Sequence, residues 1–200
     1  MTISFMRHGK PMLAGNGWVT PAQMAQWIES YNLSEVGPQD IPTKSQLVMR
    51  SAEIVATSTA SRAMSSARVL GRTPDVIDPL FCEAELPFAL INFPRLPPNV
   101  WAAIFRISWF LGYARSAESM RRTTIRAKAA ANKLVALTEQ GSVLLIGHGI
   151  MNRLIAKELS AMGWHGEKPR SIYWSVSTYM PIAQSGGQAD RQRPGRSSAS

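Results

Sequence analysis

The chain has a single cysteine, Cys82. That excludes an internal disulfide and any metal site built from several thiolates. Long apolar runs are also missing. The longest, Val100 to Ala114, contains Arg106 and falls short of the roughly 20 residues a membrane-spanning helix needs. The opening MTISFMRHGKP lacks the basic stretch and apolar run of a secretion signal. A soluble, reducing, cytoplasmic setting is the expectation. Acids are scarce: 13 Asp and Glu stand against 22 Lys and Arg, a net charge of +9. This balance favours anionic partners without choosing among nucleic acid, a membrane surface and phosphorylated small molecules. Histidines number only three, so their positions carry information.

What is present suits one domain. Two hundred residues at 45% hydrophobic content can bury a core without staples. Residues 1–183 read as that domain, with an inserted helical lid over about 86–116, where proline, tryptophan and phenylalanine interrupt the pattern. Residues 184–200, QSGGQADRQRPGRSSAS, have almost nothing apolar to bury and read as a disordered basic tail. Thr20, Pro21 and Gln23 spell a helix start with a capping box, and Met24, Trp27, Ile28 and Tyr31 then recur on one helical face. Further helices are expected over KSQLVMRS, SRAMSSARVLG, Ala117 to Glu139 and IMNRLIAKELSAMG. Strands are expected over residues 3–6, EIVATS, DVIDPLF, SVLLIG and SIYWSVSTYMP. His165 in MGWHGEK reads as an exposed loop histidine.

Strands alternating with helices predict a three-layer α/β/α sandwich on a mostly parallel central sheet. Ligands of such sheets bind beyond the carboxyl ends of the strands. Three polar groups fall at such ends: Arg7-His8-Gly9 after the first strand, Ser58 to Arg62 after EIVATS, and His148-Gly149 after SVLLIG. A histidine at a strand end is commonplace. Three such groups from distant parts of one chain are not. Arg7 and Arg62 carry forked donors that match phosphate oxygens. His8 and His148 supply a nucleophile and a charge-bearing donor. Gly9 and Gly149 permit close backbone approach. The set suits holding and transferring a phosphoryl group.

RHGKP, TSTASRAMSSA and LLIGHGIMNRL, in that order, resemble the motifs of the histidine phosphatase superfamily, the phosphoglycerate mutase-like fold. The resemblance runs over roughly residues 3–182 and is weakest over 86–114. It implies His8 as a nucleophile forming a phosphohistidine, with Arg7, Arg62 and His148 completing the phosphate pocket. It implies a proton-donating glutamate in PLFCEAELPF, Glu83 being the better match and Glu85 lying two residues on. Glu118, Ser119 and Arg126 match a further pattern with a structural role. Neither a metal nor a cofactor is implied. Lys10-Pro11 departs from the family's common residues; Lys10 either adds a cation to the pocket or is simply solvated. Ala14 stands where an asparagine is usual, with Asn16 as a substitute. The frequent Gly-x-Trp-Glu-Gly after Glu85 is absent.

The expected function is a metal-independent phosphomonoester hydrolase acting on a phosphorylated small molecule. The alternatives are a phosphoglycerate-type mutase, a protein phosphohistidine phosphatase, and a non-enzymatic basic module that binds phosphate or nucleic acid. No membrane partner is expected and nucleic acid is not favoured; a homodimer stays open. Trp101, Phe105, Trp109 and Phe110 share helical spacing that fits core or interface, or a lid favouring an apolar leaving group.

Overall fold

Ile3–Arg7 forms strand β1, and its apolar residues are all but inaccessible to water. A strand that is apolar without alternation must be covered on both faces, and β1 lies inside the sheet. The structure is a computed structural model describing residues 1–13 and 17–182. The expectations for Ala14, Asn16 and the basic tail 184–200 fall outside those residues.

The remaining elements are α1 (Met24–Leu33), α2 (Thr43–Ser51), β2 (Ile54–Thr57), α3 (Ser61–Val69), β3 (Val76–Ile77), α4 (Pro98–Phe110), α5 (Met120–Leu137), β4 (Val143–Gly147), α6 (Gly149–Ala161), β5 (Trp164–Gly166) and β6 (Val176–Pro181). They build a mixed α/β fold around a six-stranded sheet of order β3-β2-β4-β1-β6-β5. Strands β3, β2, β4 and β1 run parallel; β6 runs antiparallel to β1 and to β5. Alternate strand residues feed two cores. Ile3, Phe5, Val143 and Leu145 pack with Ala127, Leu134, Ile155 and Leu159 of α5 and α6. Met6, Leu144 and Ile146 pack on the other face with Met49 of α2 and Ala67 of α3. The sheet is thus sandwiched between helices, as the alternating pattern predicts.

The capping box at Thr20 is formed: Gln23 N donates to Thr20 Oγ1 at 3.3 Å, and Thr20 N donates to Gln23 Oε1 at 2.9 Å. Three local expectations need correction. DVIDPLF is a strand for only two residues, because Asp78 caps a 3-10 turn over Pro79–Phe81. His165 is exposed but sits in β5, not in a loop, paired with Met180 across the sheet edge. SIYWSVSTYMP is a strand only from Val176, since Trp174 adopts a left-handed backbone (φ 61°) that no strand accommodates.

Candidate active site

Strands β2, β4 and β1 are neighbours and parallel, so their carboxyl ends share one edge. Register then does the assembling. Arg7 pairs with Gly147, and His8 N donates to Gly147 O at 3.1 Å. His8 and His148 therefore emerge side by side, their rings 5.1 Å apart. Ser58, one residue past β2, meets His148 Nε2 through its Oγ at 2.7 Å. Arg62, on the first turn of α3, reaches the same edge.

His8 Nδ1 lies 2.7 Å from Gly9 O. A carbonyl only accepts, so Nδ1 carries the proton and Nε2 presents its lone pair. Burial, then the Arg62 charge and, more weakly, Arg7, push the His8 pKa down to about 3, against a raising contribution from the Gly9 bond. Burial followed by Arg62, His8 and Arg7 likewise holds His148 well below the usual imidazole range. Both rings are neutral near neutral pH.

The two arginines are held without neutralisation. Arg62 Nη1 donates to Tyr31 O at 3.3 Å and to Asn32 Oδ1 at 3.2 Å, and its guanidinium lies 4.6 Å from the Tyr31 ring centre. Arg7 donates to Ser171 O and stacks 4.3 Å from the ring centre of Tyr173. Among the described residues neither makes a salt bridge with a carboxylate. Four buried side-chain N or O atoms among those residues lack a partner, and three belong to this cluster: Arg7 Nε, Arg62 Nε and His148 Nδ1. Orphaned buried polar groups are rare and costly. Gathered beside two un-neutralised cations, they are what an anion would satisfy.

Gly9 is obligatory for contact reasons: a Cβ there would run into the Trp174 indole and Val36. A Cβ on Gly149 would stand 2.9 Å from Ser171 Oγ. Lys10 is exposed and is tied through its main chain, Lys10 N donating to Gln39 Oε1 at 3.0 Å.

The two glutamates diverge. Glu83 turns toward the His148 side and accepts from Ile150 N (3.1 Å) and Met151 N (2.9 Å) in the first turn of α6, where a carboxylate complements the helix end. Glu85 instead accepts from Glu118 N at 2.6 Å. The Glu83 segment is held from behind by Arg126 of α5. Its Nη1 donates to Leu80 O (3.0 Å) and Cys82 O (2.7 Å), and its Nη2 pairs with Glu118 at 2.7 Å.

Sequence reasoning missed Tyr31, Asn32, Ser171, Tyr173 and Asn152. Asn152 Oδ1 accepts from His148 N at 3.2 Å while its amide donates to Met6 O at 3.3 Å, tying β4 to β1 under the site. Asn152 and Ser58 lie inside motifs already noticed, LLIGHGIMNRL and TSTASRAMSSA. The two tyrosines gave no signal, because Tyr31 read as helix face and Tyr173 as strand.

Trp101, Phe105 and Trp109 resolve as core. Trp101 and Phe105 cluster with Met24 of α1, and Trp109 is fully buried. Only Phe110 is exposed. The three buried rings leave the lid idea for an apolar leaving group without its main support.

A family model described as the histidine phosphatase superfamily (branch 1) matches residues 3–187. A comparison with curated proteins finds no match. Similar solved structures include the product of a Mycobacterium tuberculosis open reading frame (15% identity, TM-score 0.56, 88% of this chain and 89% of that one). A mycobacterial glucosyl-3-phosphoglycerate phosphatase matches at 16% identity and TM-score 0.54, over 88% and 91%. A phosphoglycerate mutase from Bacillus anthracis matches at 17% and 0.55, over 90% and 91%. At such identities these likenesses show the fold alone.

Proposed function

Since the chain belongs to the histidine phosphatase superfamily, branch 1, we propose that it is a metal-independent phosphomonoester hydrolase working through a phosphohistidine on His8. The observation that carries this is the buried cluster of unpartnered donors on Arg7, Arg62 and His148 around a neutral imidazole. Arg7, Arg62 and His148 hold the non-bridging phosphate oxygens, while the missing side chains at Gly9 and Gly149 admit Trp174, Val36 and Ser171 rather than the phosphate. His8 Nε2 attacks phosphorus in line; the P–N bond forms as the bond to the leaving oxygen breaks, and Glu83 gives that oxygen its proton. Water, deprotonated by Glu83, then attacks phosphorus, releasing phosphate and restoring His8. The amide bonds that Glu83 accepts leave room for this, since each carboxyl oxygen has more than one lone pair.

Similar solved structures include both a phosphatase and a mutase, so fold does not separate these activities. The missing Gly-x-Trp-Glu-Gly favours hydrolysis over transfer to a second substrate hydroxyl. The test is turnover of an aryl phosphate in the presence of EDTA by wild type and His8→Ala, with acid-labile phosphate trapped on the wild type. Turnover and trapping lost together in His8→Ala are the expected result. Turnover surviving in His8→Ala, or abolished by EDTA, would overturn the mechanism.

A further inference from the structure

The outward side of α4 carries no charged side chain. Val100, Ile104 and Ile107, with Leu111 just past the helix end, follow one another at spacings of three and four and are all exposed, Ile107 at 61% and Leu111 at 84%. The opposite side is already committed to the core through Trp101, Phe105 and Trp109. The one cation of the helix, Arg106, turns inward to Ala84 O and Glu85 O. A helix apolar on both sides with only one side covered leaves a stripe in water, and such stripes mark contact surfaces. The apolar surface widens at the last residue of the helix. Phe110, exposed beside Leu111, lines a groove of about 510 Å³ against Ile150 and Leu154 of α6. Arg153, Lys157 and Lys168 also line it, with no carboxylate among the lining residues.

We infer that this face docks on an anionic lipid bilayer. Helix α4 lies in the interfacial plane with its outer stripe in the acyl boundary, and Arg153, Lys157 and Lys168 meet the lipid phosphates. Charge selects the occupant. An uncovered apolar helix face is what an interfacial helix buries in a bilayer, and anionic headgroups answer the cations of the groove that Phe110 shares with α6. A second copy fits less well. A two-fold interface lays a patch on itself, so it would bring the groove cations of one copy toward those of the other with no groove carboxylate to answer them. Adsorption, not spanning, is meant: among the described residues no helix is long and apolar enough to cross a membrane. The inference does not rest on the hydrolase reading.

The test is co-sedimentation of the full-length protein with vesicles of equal parts phosphatidylglycerol and phosphatidylcholine, beside vesicles of phosphatidylcholine alone. Binding to the anionic vesicles only is expected. Ile104→Glu and Ile107→Glu should each weaken it about tenfold or more, since each removes several buried carbons. Lys157→Ala and Lys168→Ala should each weaken it about fivefold at low salt. Ile107→Ser serves where a glutamate variant unfolds, and each variant is checked by its thermal midpoint. Equal binding to both vesicle types would overturn the inference. So would anionic binding untouched by the isoleucine variants, which would locate adsorption on cations elsewhere. A concentration-dependent dimer lost in those variants, without vesicle binding, would assign the face to a second copy.

Discussion

At His8 one hydrogen bond sets the chemistry: the Gly9 carbonyl fixes the proton on Nδ1 and leaves Nε2 free. The depressed pKa has a consequence for stability. Unfolded, this imidazole titrates near 6.5; folded, it titrates near 3. Between those values the unfolded chain holds the proton and the folded chain does not. The contribution is therefore fully present above 6.5 and is lost as pH falls toward 3, at up to about 1.4 kcal/mol per pH unit. Thermal midpoints of the wild type should drop more steeply across that window than those of His8→Gln; parallel profiles would mean that His8 is not buried and neutral. Glu83 poses a second residue-scale question, because the carboxylate proposed as proton donor also caps α6. Glu83→Gln keeps an acceptor for only one of the two α6 amides and turns its NH2 toward the other, so it should cost about 1 to 2 kcal/mol of stability. It should cut turnover of alkyl phosphates by about 10²- to 10⁴-fold, with a smaller loss for an aryl phosphate whose leaving group departs unaided. Equal losses on both substrates would argue against a proton donor.

Among the elements, α4 is anchored by aromatic packing on α1, with the Trp101 indole also donating to Val19 O at 2.8 Å. Trp101→Ala should destabilise the protein by about 3 kcal/mol through the cavity it leaves, while the order of substrate preference stays as in the wild type. A changed order would return the aromatic set to the substrate pocket. The segment bearing Glu83 depends on α5 in a different way. Arg126 bonds the carbonyls of Leu80 and Cys82 and pairs with half-buried Glu118. Arg126→Met removes every one of those bonds and leaves Glu118 with only the Thr123 hydroxyl and the Arg122 charge to answer it. Turnover should fall although Arg126 is placed behind the segment, not against the phosphate, and Arg126→Lys should restore little because an ammonium cannot span the same acceptors. Full activity in Arg126→Met would show that the segment holds Glu83 unaided.

Over the whole molecule, stability should be graded. Strands β1 and β4 are buried on both faces by two cores, whereas α4 shares a smaller cluster with α1. Amide hydrogen exchange should therefore find β1 and β4 opening only with global unfolding and α4 opening earlier; equal protection would make the sheet and α4 one cooperative unit. The same contrast explains what was legible in advance. Continuous apolar runs such as VLLIG have one stable placement, inside a sheet, and a parallel sheet brings its carboxyl ends together. That is why the strand-end positions of Arg7, His8, Arg62 and His148 already group them in the sequence. By contrast, β5 is three residues held to β6 by its sheet pairing, and Tyr173 faces Arg7 from a segment outside any strand, next to the left-handed Trp174. The choice between Glu83 and Glu85 was also tertiary: two near-equivalent carboxylates were sorted by the first turn of α6, which takes Glu83, and by Glu118 N, which takes Glu85. The sequence by itself determined the order of the helices and of every strand but β5, and the residue types at the strand ends, because period and burial are local properties of a pattern. The tertiary structure alone decided the charge state of the imidazoles, the aromatic partners of the arginines and the side of α4 left bare, because each depends on which distant surface arrives to cover a group.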